Sequence, residues 1–174
     1  ALALREHDMP VLVEEYIDGR EIHCALFGAP LPPLPLFEMV FKGTTRIVTF
    51  RAKWDPASKD FFEVESRCPV QDLEPEIVAG IQDIAMRAAR LVGVRDYARV
   101  DMRLDPVTGD PHILEVNPNP DLAEHGAFMQ CALASGRTFT GTIAELVSFA
   151  LARADSTAPR DAGDQLLAEH RARG

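Results

Sequence analysis

The chain has 174 residues, of which 47% are hydrophobic and 26% are charged, close to the averages of soluble globular proteins. A chain of this size can bury one hydrophobic core. Its formal net charge of −9 argues against nucleic-acid binding, which normally requires a basic surface. A nucleotide ligand is still compatible with this charge, because one lysine, one arginine and bound cations suffice locally.

The cysteine pattern and the apolar runs indicate the compartment. Cys24, Cys68 and Cys131 are widely spaced and form no CxxC pair, so we expect a reducing, cytoplasmic environment. We find neither the features of a signal peptide nor an apolar run long enough to cross a membrane, and therefore expect no membrane partner. Because the chain starts at ALALREHD without a methionine, we expect it to be an internal part of a longer protein.

The first part of the chain has the composition of strands separated by turns. Residues 10–28 predict two strands around the turn signal Asp18-Gly19. Residues 37–41 predict a strand, and 46–54 predict another because β-branched and aromatic residues are frequent there. Residues 55–60 predict a loop, followed by an irregular stretch with some strand character.

A helix is predicted over residues 74–92. Pro75 suits its first turn and Gly93 its end. One apolar stripe repeats at helical spacing and consists of Ile77, Ile81, Ile84, Ala85, Ala88 and Val92.

The remaining elements complete the predicted fold class. Residues 97–104 and 112–116 predict two strands, and helices are expected near 125–135 and 138–154. The polar stretch 155–174 is expected to be a linker or a frayed helix. Strands followed by a long helix, a hairpin and further helices are typical of an α+β fold, a largely antiparallel sheet with flanking helices.

The hairpin separates polar from apolar side chains. With its turn centred near Thr108, Asp101 faces Glu115 across the ladder, and side chains alternate between the two faces. The polar face is expected to hold Arg99, Asp101, Glu115 and Asn117. The core face is expected to hold Val100, Met102, Leu104, Leu114 and Val116.

Two opposed carboxylates repel each other unless a cation lies between them. Asp101, Glu115 and the amide oxygen of Asn117 form an all-oxygen set of the kind that Mg²⁺ or Mn²⁺ prefers. The alternative is a solvated sheet face on which Arg99 balances the two acids. The residues alone leave both interpretations open.

Three motifs carry a resemblance to a known family. They are VEEYIDGREIHCALFG (13–28), RAKW (51–54) and RVDMRLDPVTGDPHILEVNPNP (99–120). In order and spacing they resemble the ATP-grasp superfamily, in its D-alanine–D-alanine ligase branch, over residues 10–152. The resemblance implies that residues 1–154 form the C-terminal part of an ATP-grasp domain and that 155–174 are a polar tail.

The resemblance implies a nucleotide-binding segment. Glu14 would accept a hydrogen bond from the adenine amino group, and Glu21 would accept from the ribose hydroxyls. Lys53 would contact phosphate, with Trp54 packing beside it. The backbone that reads the edge of the adenine ring would come from Glu15, Tyr16 and Ile17. Without the resemblance, these residues would be assigned to a charged hairpin edge and a solvent-facing lysine.

The resemblance also implies a reaction. Asp101, Glu115 and Asn117 would hold two Mg²⁺ ions, and Arg99 would act with Lys53 on the transferring phosphoryl group. A substrate carboxylate would attack the γ-phosphate of ATP, and an amine would then displace phosphate from the acyl phosphate. The function implied is that of an ATP-dependent carboxylate–amine ligase.

One segment departs from the family pattern. After Asn117 the D-alanine ligases are usually rich in Thr, Ser and Gly, whereas this chain reads NPNPDLAEHGAF. Asp121 and His125 lie in this segment, and Gly126 stands where a serine is expected. The departure argues against dipeptide formation from D-alanine. Asp121 and His125 are expected to meet a cationic or amine-bearing substrate, or else His125 caps a helix.

The resemblance implies further parts that this sequence does not show. ATP-grasp enzymes close a Gly-rich loop over the phosphates, and the eleven glycines here are scattered. We therefore expect a missing N-terminal half, weak nucleotide binding by this chain alone, no turnover, and a homodimer as one assembly. The alternatives are a non-catalytic nucleotide-binding module with a retained metal site and a plain structural domain with an acidic hairpin.

Overall fold

The computed structural model describes residues 10–43, 46–55 and 57–156. Most of the predicted tail, from 157 onward, lies outside the described residues, as do the first nine residues. No helix in these described ranges is long and apolar enough to cross a membrane.

Five strands form one sheet in the order β3-β2-β1-β4-β5, and every neighbouring pair is antiparallel. The strands are β1 (Glu21–Phe27), β2 (Phe37–Phe41), β3 (Val64–Arg67), β4 (Tyr97–Leu104) and β5 (Pro111–Asn117). The helices are α1 (Phe50–Trp54), α2 (Lys59–Phe62), α3 (Pro75–Leu91), α4 (Ala127–Ala134) and α5 (Phe139–Ser156). The predicted α+β class with a largely antiparallel sheet is confirmed.

One face of the sheet is covered by α3. Ile22, Cys24 and Leu26 of β1 alternate along the strand and pack in one buried cluster with Ile81 and Ala85 of the helix. Every second residue of neighbouring β4 lies in the same cluster. The apolar side chains on one face of the strands therefore pack against the apolar stripe of the helix. This face holds the main core.

The opposite face is covered only at one end. Ala25 and Phe27 of β1 are buried there with Phe128 and Met129 of α4. Phe27 also packs against Phe149 of α5, with ring centroids 5.6 Å apart. The other end of this face carries polar side chains, because helices α4 and α5 lie over the apolar end. The site described below occupies this polar end.

Helix α3 forms where the sequence predicts it. Pro75 is its first residue, and Gly93 follows its end with φ of +73°, a left-handed conformation that glycine adopts without strain. Ile81 and Ala85 of the predicted stripe are buried, but Val92 is 62% exposed. Its place in the stripe was wrong because the helix ends at Leu91.

The predicted strand over 46–54 is wrong. This segment contains α1 instead, and the Thr49 side chain caps that helix by accepting a hydrogen bond from the Ala52 N–H at 3.0 Å. Likewise α2 begins inside the predicted loop 55–60, where Ser58 caps it by accepting from the Phe61 N–H. In both segments a capping side chain stabilises a short helix that the composition of the segment does not predict.

Only the second of the two strands predicted for residues 10–28 forms. The first part is not a strand, and Val11, Leu12 and Val13 are exposed. The predicted turn does exist, since the Gly19 N–H donates to the Ile17 carbonyl at 3.0 Å. Strand β1 begins two residues later and lies between β2 and β4.

Candidate functional site

The β4–β5 hairpin has the predicted register at its polar end. Asp101 is opposite Glu115, and Arg99 is opposite Asn117. Immediately after Asp101 the register shifts, so that Met102 pairs with Ile113. This β-bulge leaves Leu114 49% exposed and overturns the prediction that it faces the core. The extra residue changes the apolar face while the polar pairs stay aligned.

Four strands contribute one row of side chains across the sheet. Glu115 of β5 is opposite Asp101 of β4, Asp101 is opposite His23 of β1, and His23 is opposite Phe37 of β2. The His23 ring stacks on Phe37, with centroids 5.4 Å apart and an interplanar angle of 16°. The row therefore runs from two carboxylates through an imidazole to an apolar ring.

A cavity of about 600 Å³ lies over this row. It brings together most of the residues predicted for the site, which are Glu21, Lys53, Arg99, Asp101, Glu115, Asn117, Asp121, His125 and Gly126. Lys53 enters from α1 rather than from the strand that the sequence predicted. The side chain of Trp54, expected beside it, lies outside what the structure describes.

Arg99 forms ion pairs with both carboxylates. Its Nε and Nη2 donate to the two oxygens of Asp101 at 2.6 and 2.7 Å, and Nη2 lies 3.6 Å from Glu115 Oε1. Burial opposes ionisation of Asp101, but the hydrogen bonds from Arg99 prevail and lower the pKa of that carboxyl below its ordinary value. Asp101 is therefore a carboxylate at neutral pH.

Glu115 titrates in the opposite direction. Its side chain is 58% exposed. The largest cause of its raised pKa is nevertheless partial burial, and both a hydrogen bond to Asp101 and the negative charge of Asp101 raise the pKa further. The charges of Arg99 and Lys53 lower it in part. The two facing carboxylates thus repel each other. A divalent cation between them would offset this repulsion.

The donor chemistry fits a hard cation. In the described part of the chain no three His, Cys, Asp or Glu side chains cluster as metal ligands. The donors would therefore be Asp101, Glu115 and the Asn117 amide, with water and ligand oxygens completing the shell. The Asn117 Oδ1 accepts from the Asn119 N–H at 3.1 Å, which fixes the amide and leaves its second lone pair for a cation.

The segment after β5 shapes the cavity rim. Asp121 Oδ1 accepts from the Ala123 N–H at 2.9 Å, and its Oδ2 lies 3.4 Å from where a Cβ on residue 126 would stand. Gly126 is the N-cap of α4 and makes no side-chain cap bond. The alternative in which His125 caps this helix is wrong, and His125 remains exposed at the rim.

Comparison with known proteins identifies the family of this chain. The family model described as the D-ala D-ala ligase C-terminus matches residues 1–148. The chain belongs to this family. The resemblance found in the three sequence motifs, to the C-terminal half of a D-alanine–D-alanine ligase-like ATP-grasp domain, is thereby confirmed.

Curated relatives have similar sequences over most of this chain. An uncharacterised protein of Sinorhizobium fredii is 35% identical over 82% of this chain and 41% of its own length. A D-alanine–D-alanine ligase of Polynucleobacter asymbioticus is 32% identical over 81% of this chain and 40% of its own length. The chain spans about two fifths of the length of these curated relatives.

Solved structures of the family share the fold. The D-alanine–D-alanine ligase of Bacillus anthracis complexed with ATP has a TM-score of 0.63 and 21% identity, over 82% of this chain and 42% of that one. The VanG D-Ala:D-Ser ligase of Enterococcus faecalis has a TM-score of 0.60 and 23% identity, over 78% of this chain and 37% of that one. At these identities the likeness shows the fold.

The segment assigned to adenine by the ligase resemblance does not lie in the cavity wall. Glu14, Glu15 and Tyr16 are exposed, and Ile17 is half-buried. The segment is attached to the sheet through Arg103, which donates from Nη1 to the Ile17 carbonyl at 3.0 Å. The structure thus brings together the predicted metal and phosphate residues and leaves the predicted adenine residues at the periphery.

Two residues of the polar face were not singled out from the ligase-like motifs. His23 is 6% exposed and lines the cavity, with Nε2 3.3 Å from Glu21 Oε1 and Nδ1 3.8 Å from Asp101 Oδ1. Arg103 is 3% exposed and pairs with Glu21. The alternation of side chains along β1 and β4 could have predicted both residues. It places residue 23 on the same face as 21, and residue 103 on the same face as 99 and 101.

Proposed function

We propose that this chain forms the nucleotide- and metal-binding part of an ATP- and Mg²⁺-dependent carboxylate–amine ligase. The observation that carries the proposal is the pairing of Asp101 with Glu115, with Arg99 and Asn117 beside them in one cavity. Membership of the D-alanine–D-alanine ligase family supports it, and so does the shared fold with a relative whose structure was solved with ATP.

The residues of the cavity divide the work of phosphoryl transfer. Bound Mg²⁺, or Mn²⁺, supplies the positive charge that neutralises the phosphate oxygens. Asp101, Glu115 and Asn117 hold the metal ions. Arg99, fixed in place by Asp101, stabilises the transferring phosphoryl group, and Lys53 of α1 contacts phosphate.

The proposed reaction needs no protein nucleophile. The carboxylate of one substrate attacks the γ-phosphate of ATP and becomes an acyl phosphate, and an amine then displaces inorganic phosphate to form the amide bond. The side chains position these groups and neutralise charge, which is where most catalysis of phosphoryl transfer originates. Asp121 and His125, exposed at the rim, are assigned to meet a cationic or amine-bearing substrate, whose reacting amine attacks in its neutral form.

Turnover is proposed to require more than this chain. Because the chain spans about two fifths of the length of its relatives, we assign binding of the second substrate and closure over the phosphates to the rest of the whole protein. This chain alone then binds the nucleotide without hydrolysing or transferring it. We assign the whole protein to the cytoplasm, with small-molecule substrates and a homodimeric assembly.

Isothermal titration with a non-hydrolysable ATP analogue, with and without Mg²⁺, tests the proposal. We expect metal-dependent binding that is lost in Glu115→Ala. The matched control is Glu76→Ala, the same substitution at an exposed position of α3 on the other side of the sheet. Binding that needs no metal, or that survives in Glu115→Ala, would contradict the proposal.

A second arm separates a ligase from a non-catalytic nucleotide-binding module. In the whole protein, phosphate release with candidate carboxylates and amines is expected to depend on Arg99. Tight nucleotide binding without phosphate release in any substrate combination would favour the non-catalytic module.

A further inference from the structure

Arg103 is a buried cation behind the nucleotide side of the cavity. It is 3% exposed, and it lies two residues beyond Asp101 on the polar face of β4. Its partner across the ladder is Glu21 of β1. Glu21 lines the cavity, whereas Arg103 is not one of the residues that line it. Any effect of Arg103 on a ligand must therefore pass through its neighbours.

The guanidinium joins separate parts of the chain. Its Nη2 donates to Glu21 Oε2 at 2.9 Å and also to the backbone carbonyl of Arg46. Its Nη1 donates to the Ile17 carbonyl at 3.0 Å and lies 3.3 Å from the Tyr16 hydroxyl. The planar group also stacks over the Tyr16 ring, 5.2 Å from its centroid. Arg103 thus ties the segment before β1 to the sheet.

Glu21 is held at both of its oxygens. Arg103 takes Oε2, and His23 Nε2 lies 3.3 Å from Oε1. The residue is only 9% exposed, and removing the cation from a buried ion pair is strongly destabilising. Each carboxylate oxygen retains a further lone pair, and Glu21 presents them to the cavity with a fixed orientation.

We propose that Arg103 is a positioning residue that fixes the Glu21 carboxylate for recognition of the ribose hydroxyls of the nucleotide. The inference rests on the proposed function and on the role that the ligase resemblance implies for Glu21, which is to accept from those hydroxyls. The selectivity of the site for a hydroxylated sugar then depends on Arg103, which does not line the cavity. A hydrogen bond from a ligand hydroxyl to a fixed carboxylate contributes more to the binding affinity than one to a carboxylate that must first be ordered.

The experiment compares two nucleotides by NMR titration of this chain with Mg²⁺. One is ATP, and the other is 2′,3′-dideoxy-ATP, which lacks both ribose hydroxyls. We expect the wild-type chain to bind ATP about tenfold more tightly, as a hydrogen bond to a charged group implies. In Arg103→Met the preference is expected to fall to within about twofold, because Glu21 loses its fixed orientation. Arg103→Lys, which keeps the charge but has a single donor group, is expected to recover part of the preference.

Arg20→Met is the matched control. Arg20 holds buried Glu38 through two hydrogen bonds of 2.7 and 2.8 Å, and neither residue lines the cavity. The control therefore breaks a hydrogen-bonded ion pair at another buried carboxylate, between the residue that precedes β1 and Glu38 of β2. We expect it to lower stability and to leave the tenfold preference for ATP in place, about as in the wild-type chain.

The outcomes separate this inference from the proposed function. A wild-type chain that binds neither nucleotide overturns both. A wild-type chain that binds both equally, or an Arg103→Met chain that keeps the full preference, overturns the role of Arg103 alone. An equal loss of preference in Arg20→Met also overturns it, since the effect would then be general. If Arg103→Met does not fold, Arg103→Lys decides, and an undiminished preference in that variant contradicts the proposal.

Discussion

Asp101 and Glu115 lie directly opposite each other across the β4–β5 ladder, and burial together with the neighbouring Asp101 raises the pKa of Glu115 above its ordinary value. Arg99 holds Asp101 through two short hydrogen bonds but reaches Glu115 only at 3.6 Å. The two acids are therefore not equivalent. Asp101 is the fixed anion of the site, and Glu115 is the one whose charge must be compensated by something that binds.

The first prediction concerns the stability of Glu115→Gln. Removing one of two facing like charges relieves repulsion, so we expect the free energy of unfolding at pH 7 to stay unchanged or rise by about 0.5 kcal/mol. Urea denaturation measures it, with Glu76→Gln on α3 as the control for a surface substitution. The same variant is expected to lose metal-dependent nucleotide binding. A clear loss of stability would show that Glu115 is a structural residue.

The second prediction concerns Asp101 and acid. Its pKa lies below the ordinary value of 3.8, so its ionised form stabilises the fold at neutral pH. That contribution is present above the unfolded-state pKa and is lost as the pH falls through 3.8 toward the folded-state value. Asp101→Asn lacks this contribution at every pH, so we expect it to be less stable than the wild type by about 2 kcal/mol at neutral pH.

Urea denaturation between pH 3 and pH 7 checks this sign. The stability of the wild-type chain should approach that of Asp101→Asn at the acid end and exceed it at neutral pH. Asp83→Asn is the control, because Asp83 pairs with Arg87 on the exposed face of α3 at 3.6 Å and surface pairs contribute little. Parallel stability curves for wild type and Asp101→Asn would contradict the prediction.

The hairpin could be predicted from sequence because two strands of alternating polarity flank a short turn. The polar alternation fixed which side chains share a face, and the pairs Arg99–Asn117 and Asp101–Glu115 followed. The bulge at Leu114 could not be predicted, because shifting the register beyond Asp101 leaves the polar pattern unchanged. The alternation of polar and apolar residues predicts which face of the sheet a residue lies on, but it does not predict the position of a β-bulge.

Other features depend on contacts that the sequence does not contain. The segment 46–54 has the composition of a strand, but Thr49 caps a short helix there. Burial of His23 and Arg103 depends on tertiary packing, since both lie on the polar face and neither belongs to an apolar pattern. The cavity at that end follows from the placement of α4 over Ala25 and Phe27, which no local signal indicates.

The third prediction concerns metal binding and pH. The pKa of Glu115 is raised above its ordinary value of 4.5, so a proton competes with a metal ion for this carboxylate. We expect the affinity for the Mg²⁺–nucleotide complex to rise with pH through the region above 4.5 and to level off when Glu115 is ionised. Titrations across this range measure it. In Glu115→Gln the residual affinity should lose this pH dependence, and a wild-type affinity that falls with rising pH would contradict the assignment.

The fourth prediction concerns the turn that leads into β1. A Cβ at residue 19 would lie 1.6 Å from the Leu104 carbonyl oxygen, and this close approach is next to the hydrogen bond from the Leu104 N–H to the Arg20 carbonyl at 3.0 Å. In Gly19→Ala the turn must move away from β4, at a cost of about 3 kcal/mol. Gly80→Ala on α3 is the matched control, because no atom lies within 4 Å of its added Cβ.

Alanine is favoured over glycine inside a helix, so the control should gain about 0.5–1 kcal/mol in free energy of unfolding. Urea denaturation of both variants separates the effect of the close approach from that of the substitution. Because the displaced turn carries Ile17 away from Arg103, whose Nη1 bonds that carbonyl at 3.0 Å, Gly19→Ala should also weaken nucleotide binding. A Gly19→Ala chain as stable as the wild type would show that the turn before β1 does not approach Leu104 of β4 this closely.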